Sequence, residues 1–225
     1  MKLPISSRLL ACAEFIRPGE RVADVGTDHG YLTIYLRLHD LASYVYAADI
    51  APQPLNRARE NVRKYGITDG VSFHLCDGVR GLPRDFDTLV IAGLGADTMM
   101  GILDGGPWLK TGGYRLILQC QSAQNRLRQY LSTHGWVITK EKPVLDGKFI
   151  YTVLEAVPGS QPLSPGQHFV TPALLRCVDP LAGEYLDLCR KVVENVASGL
   201  EGQTGEKASY YDQARKELLA MEVKP

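Results

Sequence analysis

Neither positive nor negative charge is in excess in this chain of 225 residues. Lys and Arg number 25 and Asp and Glu number 25, so the formal net charge is zero. A strongly basic chain would by itself indicate a nucleic-acid partner. The neutral balance removes that argument and leaves local basic patches open. Long apolar runs are also missing, since no stretch approaches the roughly 20 residues of a membrane span. The sequence therefore predicts no membrane anchor.

Paired cysteines are missing too. No Cys-x-x-Cys spacing occurs, and no group of His, Cys and carboxylates has the spacing of metal ligands. No secretory signal segment is evident. We therefore expect reduced thiols, no bound metal and a cytoplasmic protein, with the oligomeric state left open. The cysteines are odd in number and are Cys12, Cys76, Cys120, Cys177 and Cys189.

What the sequence does contain is an alternation of strand and helix patterns. The early strands are almost continuously apolar, as parallel strands covered on both faces are. Such alternation predicts a doubly wound α/β sheet. The first 16 residues are amphipathic and are predicted to be helical. Strands are predicted at 21–25, 44–49, 71–76, 87–92, 114–120, 136–141 and 149–156, and helices at 30–38, 51–65, 96–104 and 122–134. The last two strands follow each other through a hairpin-like connection at 142–147, so the last is predicted to be antiparallel.

The carboxy-terminal part has a different pattern. We predict a domain at 1–157, a Pro- and Gly-rich linker at 158–170 and a helical extension at 171–225. Two apolar stripes in the extension predict an antiparallel coiled-coil pair. The alternative is a tail that only packs back on the domain. The first stripe is Leu174, Val178, Leu181, Tyr185, Leu188 and Val192, and the second is Tyr211, Ala214, Leu218 and Leu219.

The loop after the first strand carries the clearest chemical signal. It reads Asp24-Val25-Gly26-Thr27-Asp28-His29-Gly30. A Gly-containing turn before a helix lets backbone N–H groups approach a nucleotide cofactor. In the Gly-x-Gly-x-x-Gly pattern of NAD and FAD proteins, a glycine stands where this chain has Asp28. A carboxylate there would repel a pyrophosphate and attract an ammonium, so the loop favours S-adenosylmethionine over a dinucleotide.

Two further strands end in acids. Asp49 fits the role of ribose-hydroxyl acceptor, and Asp77-Gly78 suits an adenine amino group, with Ile50 beside the ring. For any one Asp, a helix cap or a turn residue is an equally good interpretation. Three acids at three successive strand ends favour the cofactor site.

The fourth strand ends in a glycine-rich segment where a flat substrate would approach the reactive methyl group. It reads Ala92-Gly93-Leu94-Gly95. The Asn/Asp-Pro-Pro-aromatic motif that holds an exocyclic amine is absent, and Gln119-Cys120-Gln121 only superficially resembles a cytosine-methylase nucleophile. His29 either orients a base or water, or caps the following helix. The candidate catalytic residues are therefore Asp28, His29 and Gly93.

These motifs resemble the bacterial TrmK family of tRNA (adenine-N1)-methyltransferases. The resemblance covers nearly the whole chain and includes residues 116–119, residues 127–141 and the helical tail. The resemblance implies a class I methyltransferase domain with a coiled-coil pair, acting on N1 of adenine 22 in tRNA. It departs from many members at Ala96-Asp97 and at Cys120, which puts substrate detail in question. By resemblance, the cofactor and reaction site comprises Asp24, Gly26, Asp28, His29, Asp49, Asp77, Gly78, Ala92 and Gly93.

Contact with tRNA requires basic residues. Arg57, Arg59, Arg63 and Lys64 oppose one acid, Glu60, on the third predicted helix, and Arg8 adds a candidate near the amino terminus. A solvated helix face explains the run equally well. From residue 171 onward there are seven Lys/Arg against nine Asp/Glu, so the tail is no obvious polyanion clamp. The alternatives are a methyltransferase for a small molecule or protein, and a cofactor-binding module without catalysis.

Overall fold

The computed structural model describes residues 3–223. Seven strands form one mixed sheet in the order β3-β2-β1-β4-β5-β7-β6. The strands are β1 Glu20–Val25, β2 Ala42–Asp49, β3 Val71–Leu75, β4 Thr88–Leu94, β5 Arg115–Cys120, β6 Trp136–Asp146 and β7 Phe149–Pro158. The helices are α1 Ser7–Ala13, α2 Tyr31–Leu38, α3 Pro52–Lys64, α4 Ala96–Asp104, α5 Gln124–Thr133, α6 Pro172–Leu175, α7 Leu181–Ser198 and α8 Glu206–Ala220.

The sheet is covered on both faces. Strands β1 to β5 are parallel to one another, and β7 runs antiparallel to both β5 and β6. One core joins the sheet to α4 and α5 through residues such as Met99 and Leu127, and a second joins it to α1 and α2 through residues such as Cys12 and Leu36. This is the doubly wound α/β fold with an antiparallel last strand that the sequence predicts.

The parallel strands bring their carboxyl ends to one edge of the sheet. Val25 of β1 pairs with Ala48 of β2 and with Ile91 of β4, so the loops after these strands are neighbours. Asp49 pairs with Leu75, which adds the loop after β3 to the same edge. In open α/β sheets, ligands bind at this edge. The edge therefore collects the segments that the sequence singled out.

The connection between the last two strands is shorter than predicted. Residues 142–146 belong to β6, and only Gly147 and Lys148 form the turn. Gly147 has φ +63°, which glycine adopts without strain. Pro143 lies within β6, which is at the edge of the sheet, where a missing N–H is tolerated.

The tail forms two packed helices whose buried stripe differs from the predicted one. Val178 precedes α7 and is 83% exposed, and Leu188 and Val192 are also exposed. The predicted stripe is therefore wrong in register. The helix instead begins after Pro180 and buries Ala182, Tyr185, Leu186, Cys189, Val193 and Ala197, with Ala214 and Leu218 of α8 in the same cluster as most of them.

The segment predicted as a linker is largely packed. His168, Phe169 and Val170 are buried. The Gly166 N–H and the Ser164 hydroxyl both donate to the Glu217 carboxylate of α8. These contacts join the segment to the helical tail. Among residues 3–223, no helix combines the length and the apolar character that crossing a membrane requires.

Candidate functional site

An open cleft of about 510 Å³ lies at the carboxyl edge of the parallel strands. Its size is within the usual range for small-molecule sites. All ten residues predicted for the cofactor line this cleft, which the structure thereby brings together from four loops. They are Asp24, Gly26, Asp28, His29, Asp49, Ile50, Asp77, Gly78, Ala92 and Gly93.

Asp24 is the buried anchor of the first loop. Its Oδ2 accepts hydrogen bonds from the Thr27 and Thr33 hydroxyls at 2.7 and 2.9 Å, which ties the loop to α2. Burial raises the pKa of the Asp24 carboxyl, and the nearby Asp49 raises it further, while the two hydroxyls oppose the shift. A cation in the cleft would relieve this unfavourable negative charge.

Asp49 holds the loops after β1 and β2 together. Its Oδ2 accepts from the Asp28 N–H at 3.2 Å, and its Oδ1 accepts from the Ala51 N–H at 3.0 Å. Each carboxylate oxygen has a second lone pair, so both still have capacity for hydroxyl donors. Asp49 is 9% exposed, and it lines the cleft. The carboxylate is thus fixed in place before any ligand binds.

The Asp28 and His29 side chains lie at the cleft rim. Asp28 has φ +47°, and its side chain is 62% exposed, with Oδ2 3.7 Å from His29 Nε2. The His29 ring stacks on Tyr31 with centroids 5.3 Å apart. Gly30 follows with φ +72°, and an added Cβ would lie 3.1 Å from the Ala58 Cβ of α3. Glycine permits this close approach to α3, and α2 begins at the next residue.

The loop after β3 forms the far wall. Asp77 Oδ2 accepts from Arg80 at 2.8 Å in an exposed ion pair, so one oxygen already has a partner. Ile50 is 68% exposed and offers an apolar face to a flat ring. Burial, Asp77 and Asp49 all raise the pKa of the Cys76 thiol, which keeps this cleft residue neutral.

The opposite end of the cleft contains residues that sequence reasoning missed. Gly93 has φ +79°, and its N–H donates to Gln119 Oε1 at 3.1 Å. The same oxygen accepts from Arg8 Nη1 at 3.3 Å, while Arg8 Nε donates to Asp146 at 2.6 Å. Gln121 lines the cleft beside Gly93. Position at the end of β5 was the available signal for both glutamines.

Two side chains near this end do not take part in the cleft. Burial raises the pKa of the Cys120 thiol, so Cys120 is protonated and unsuited to act as a nucleophile. Asp97, at one of the positions where the chain departs from the family pattern, forms an exposed ion pair with Arg126 at 2.7 Å and is not among the residues that line the cleft.

The predicted tRNA-binding residues divide into two groups. Arg8 lines the cleft, but its charge is paired with Asp146. The basic residues of α3 lie outside the cleft. Arg57, Arg63 and Lys64 are exposed, whereas the Arg59 guanidinium packs 5.0 Å from the Phe73 ring centroid. Within residues 3–223, no cluster of three or more His, Cys, Asp or Glu is arranged to hold a metal ion.

Comparison with known proteins agrees with this geometry. The family described as "methyltransferase domain" matches residues 5–154. The tRNA (adenine(22)-N(1))-methyltransferase of Bacillus subtilis (strain 168) is 32% identical over 161 residues, which are 71% of this chain and 68% of that protein. The crystal structure of the B. subtilis M1A22 tRNA methyltransferase TrmK superposes with a TM-score of 0.77 at 25% identity, covering 97% of this chain and 96% of the other.

A second solved structure, Streptococcus pneumoniae Sp1610 in complex with S-adenosyl-L-methionine, has a TM-score of 0.81 at 29% identity and covers 96% of this chain and 99% of the other. Fold and cleft thus define an S-adenosylmethionine-dependent methyltransferase. More particularly, the chain belongs to the tRNA (adenine(22)-N(1))-methyltransferase family.

Proposed function

We propose that this protein transfers a methyl group from S-adenosylmethionine to ring nitrogen 1 of adenine 22 in tRNA. The observation that carries the proposal is the cleft that the acids at the carboxyl ends of β1, β2 and β3 share with the Gly93 turn. Membership of the family supports tRNA as the substrate, and a tRNA substrate indicates a cytoplasmic location.

The residues of the cleft fit the proposed cofactor. Asp49 has free lone pairs for ribose hydroxyls, and the exposed face of Ile50 suits the adenine ring. Asp28 presents its carboxylate to an ammonium, and the buried charge of Asp24 favours a cationic ligand. These carboxylate acceptors and the apolar face of Ile50 therefore suit a molecule with hydroxyls, a flat ring and positive charge and no phosphate.

Methyl transfer to adenine requires alignment of the base with the methyl group more than it requires proton transfer. Bound S-adenosylmethionine supplies an electrophilic methyl group on a sulfonium. Adenine N1 already has a lone pair, so no strong general base is needed. The Gly93 turn, fixed by Gln119, leaves room for a flat base. Asp28 provides negative charge near the cation that forms on the base. The orientation of the two reactants and the electric field of the site accelerate the transfer. The Watson–Crick edge must be exposed before it can enter.

Phosphate contacts are proposed for the basic residues of α3. Arg57, Arg63 and Lys64 are exposed, and no salt bridge joins them to an acid in the part of the chain that the structure describes. Backbone contacts of this kind give affinity that falls with salt.

Transfer of a labelled methyl group to unmodified tRNA transcripts tests the proposal. We expect incorporation into a transcript with adenine at position 22, with the label mapped by mass spectrometry to 1-methyladenosine. A transcript with guanine at that position is the control and should remain unlabelled. Cofactor binding without incorporation into any tRNA would contradict the proposal and favour a non-catalytic module. Incorporation into a protein or small molecule alone would favour the other alternative.

A further inference from the structure

The β6–β7 hairpin reaches past the end of the neighbouring strand. Leu154 of β7 pairs with Leu118 of β5, and β5 ends at Cys120. Because β7 begins at Phe149, its first residues extend beyond β5 by roughly 10 Å at ordinary strand spacing. The end of β5 is at the edge that carries the cleft. The hairpin tip, which we define as residues 145–149, therefore stands beside the cleft.

The hairpin tip combines exposed apolar groups with a cation. Leu145 is 48% exposed and Phe149 is 56% exposed. Lys148 Nζ lies 5.5 Å from the Phe149 ring centroid. Across the described part of the chain, no salt bridge connects Lys148 to a carboxylate. An accessible aromatic ring beside an uncompensated ammonium suits a nucleotide, because the base stacks on the ring and the phosphate pairs with the cation.

A continuous row of side chains links the tip to the cleft. Phe149 and Tyr151 are two residues apart on β7 and have ring centroids 6.3 Å apart. The Arg8 guanidinium lies 4.9 Å from the Tyr151 ring centroid, and it donates to Gln119 in the cleft. Arg8 also pairs with Asp146 of the tip at 2.6 Å, which cancels the one acidic charge there. The tip is thus held in place and carries the positive charge of Lys148.

We infer that the hairpin tip is a stacking platform for an unpaired nucleotide next to the target adenine of the tRNA. This inference rests on the proposed function. A nucleotide fits better than a protein partner, because a stable protein interface needs about 800 Å² per partner and 20–30 residues, whereas the tip offers only the exposed side chains of Leu145 and Phe149 and one cation. The basic helix α3 packs on β2 and β3 at the other end of the edge, so an RNA strand crossing the cleft contacts both sides.

Variants of Phe149 test the platform through tRNA binding. We expect Phe149→Ala to weaken the binding of an unmodified tRNA transcript roughly tenfold and to raise the KM for tRNA similarly, because stacking on an aromatic ring is lost. The dissociation constant of S-adenosylmethionine should not change. Phe149→Trp should restore binding to within about twofold of the wild type. Leu219→Ala, at a 67% exposed position on α8, is the matched control and should leave both constants unaltered.

Two further measurements report the contact directly. In Phe149→Trp, the added indole fluorescence should be quenched by the tRNA transcript if a base stacks on it. Lys148→Ala should reduce the slope of log affinity against log salt by roughly one phosphate contact. Unquenched indole fluorescence and an unchanged salt slope would both count against the platform.

The outcomes separate this inference from the proposed function. If wild-type protein binds tRNA without methylating it, the proposed function fails, while quenching and the loss in Phe149→Ala would still support the platform. If wild-type protein methylates tRNA and Phe149→Ala has unaltered KM and affinity, the platform is refuted alone. Self-association that is lost in Phe149→Ala, with tRNA affinity unchanged, would show that a second copy of the chain covers the tip, and would overturn the inference.

Discussion

Arg128 of α5 donates to the Glu141 carboxylate of β6 across 2.5 Å, and both side chains are almost completely buried. The same guanidinium donates to the Phe169 carbonyl and to the Tyr185 hydroxyl of α7. Burial opposes the charge, yet Glu141 and Tyr185 raise the pKa of Arg128, so the group is charged. One buried ion pair therefore attaches the helical tail to the sheet.

We expect Arg128→Met to lower the free energy of unfolding by about 3–5 kcal/mol, because Glu141 would be left buried without its partner. Denaturant unfolding measures the change. Arg126→Met is the control, since its pair with Asp97 is exposed and should contribute no more than about 1 kcal/mol. The double variant Arg128→Met/Glu141→Leu should recover part of the loss. Equal effects of the two single variants would contradict the proposed role of the buried pair.

Asp49→Ala should weaken the binding of S-adenosylmethionine roughly 10- to 100-fold, because a charged acceptor for hydroxyls and the support for the Asp28 N–H are both lost. Isothermal titration calorimetry gives the dissociation constant. Asp69→Ala is a suitable control, since that side chain is 87% exposed. An unchanged dissociation constant in Asp49→Ala would rule out the ribose role.

Asp24 should make cofactor binding sensitive to acid. Its folded-state pKa is raised by burial, so it protonates at higher pH than an exposed aspartate and loses attraction for a cation as the pH falls through that pKa. The stability linkage has the opposite direction: protonation favours the folded state, and this contribution is lost as the pH rises through the folded pKa. Calorimetric affinity, measured as the pH is lowered stepwise, should decline in the wild type before exposed aspartates become protonated.

Asp24→Asn checks the same group without changing its shape. We expect weaker cofactor binding with a flatter pH profile, together with a higher Tm of the cofactor-free protein at pH 7, because a buried charge is removed. An Asp24→Asn protein that retains the wild-type pH profile would show that another group controls binding.

Gln119→Leu should lower kcat roughly tenfold or more with little change in cofactor affinity. The Gly93 N–H would lose its acceptor, and the turn beside the acceptor base would no longer be fixed. Gln119→Glu keeps an oxygen acceptor and should retain more activity. Single-turnover methyl transfer to tRNA, compared with calorimetric cofactor binding, separates the two effects. If both variants lower kcat equally, loss of the hydrogen bond from the Gly93 N–H is not the cause of the lower kcat.

Much of the catalytic half could be predicted because its signals are local. The strand that ends at Asp49 and the turn at Gly26 and Gly30 are each encoded within a few residues, and parallel strands necessarily bring such ends to one edge. Gln119 was not predicted as part of the site, because nothing near it in the sequence shows that its amide bonds to Gly93, 26 residues away.

The tail shows where periodicity is insufficient. Val178 and Leu188 continue an apolar repeat, but Pro180 starts the helix late and a different face is buried. Which side of an amphipathic helix is covered depends on what packs against it. Here Phe169 and α8 select the side that carries Leu186 and Cys189.

The sequence by itself determined the alternating α/β order, the acids at the strand ends and the preference for a cationic cofactor without phosphate, because these follow from local periodicity, turn chemistry and charge. Only the tertiary structure decided the reach of the β6–β7 hairpin past the end of β5, the pairing of Arg8 with Asp146 and the burial of Arg128 against Glu141. The physical reason is that these features join residues distant in the chain, whose contacts are set by packing.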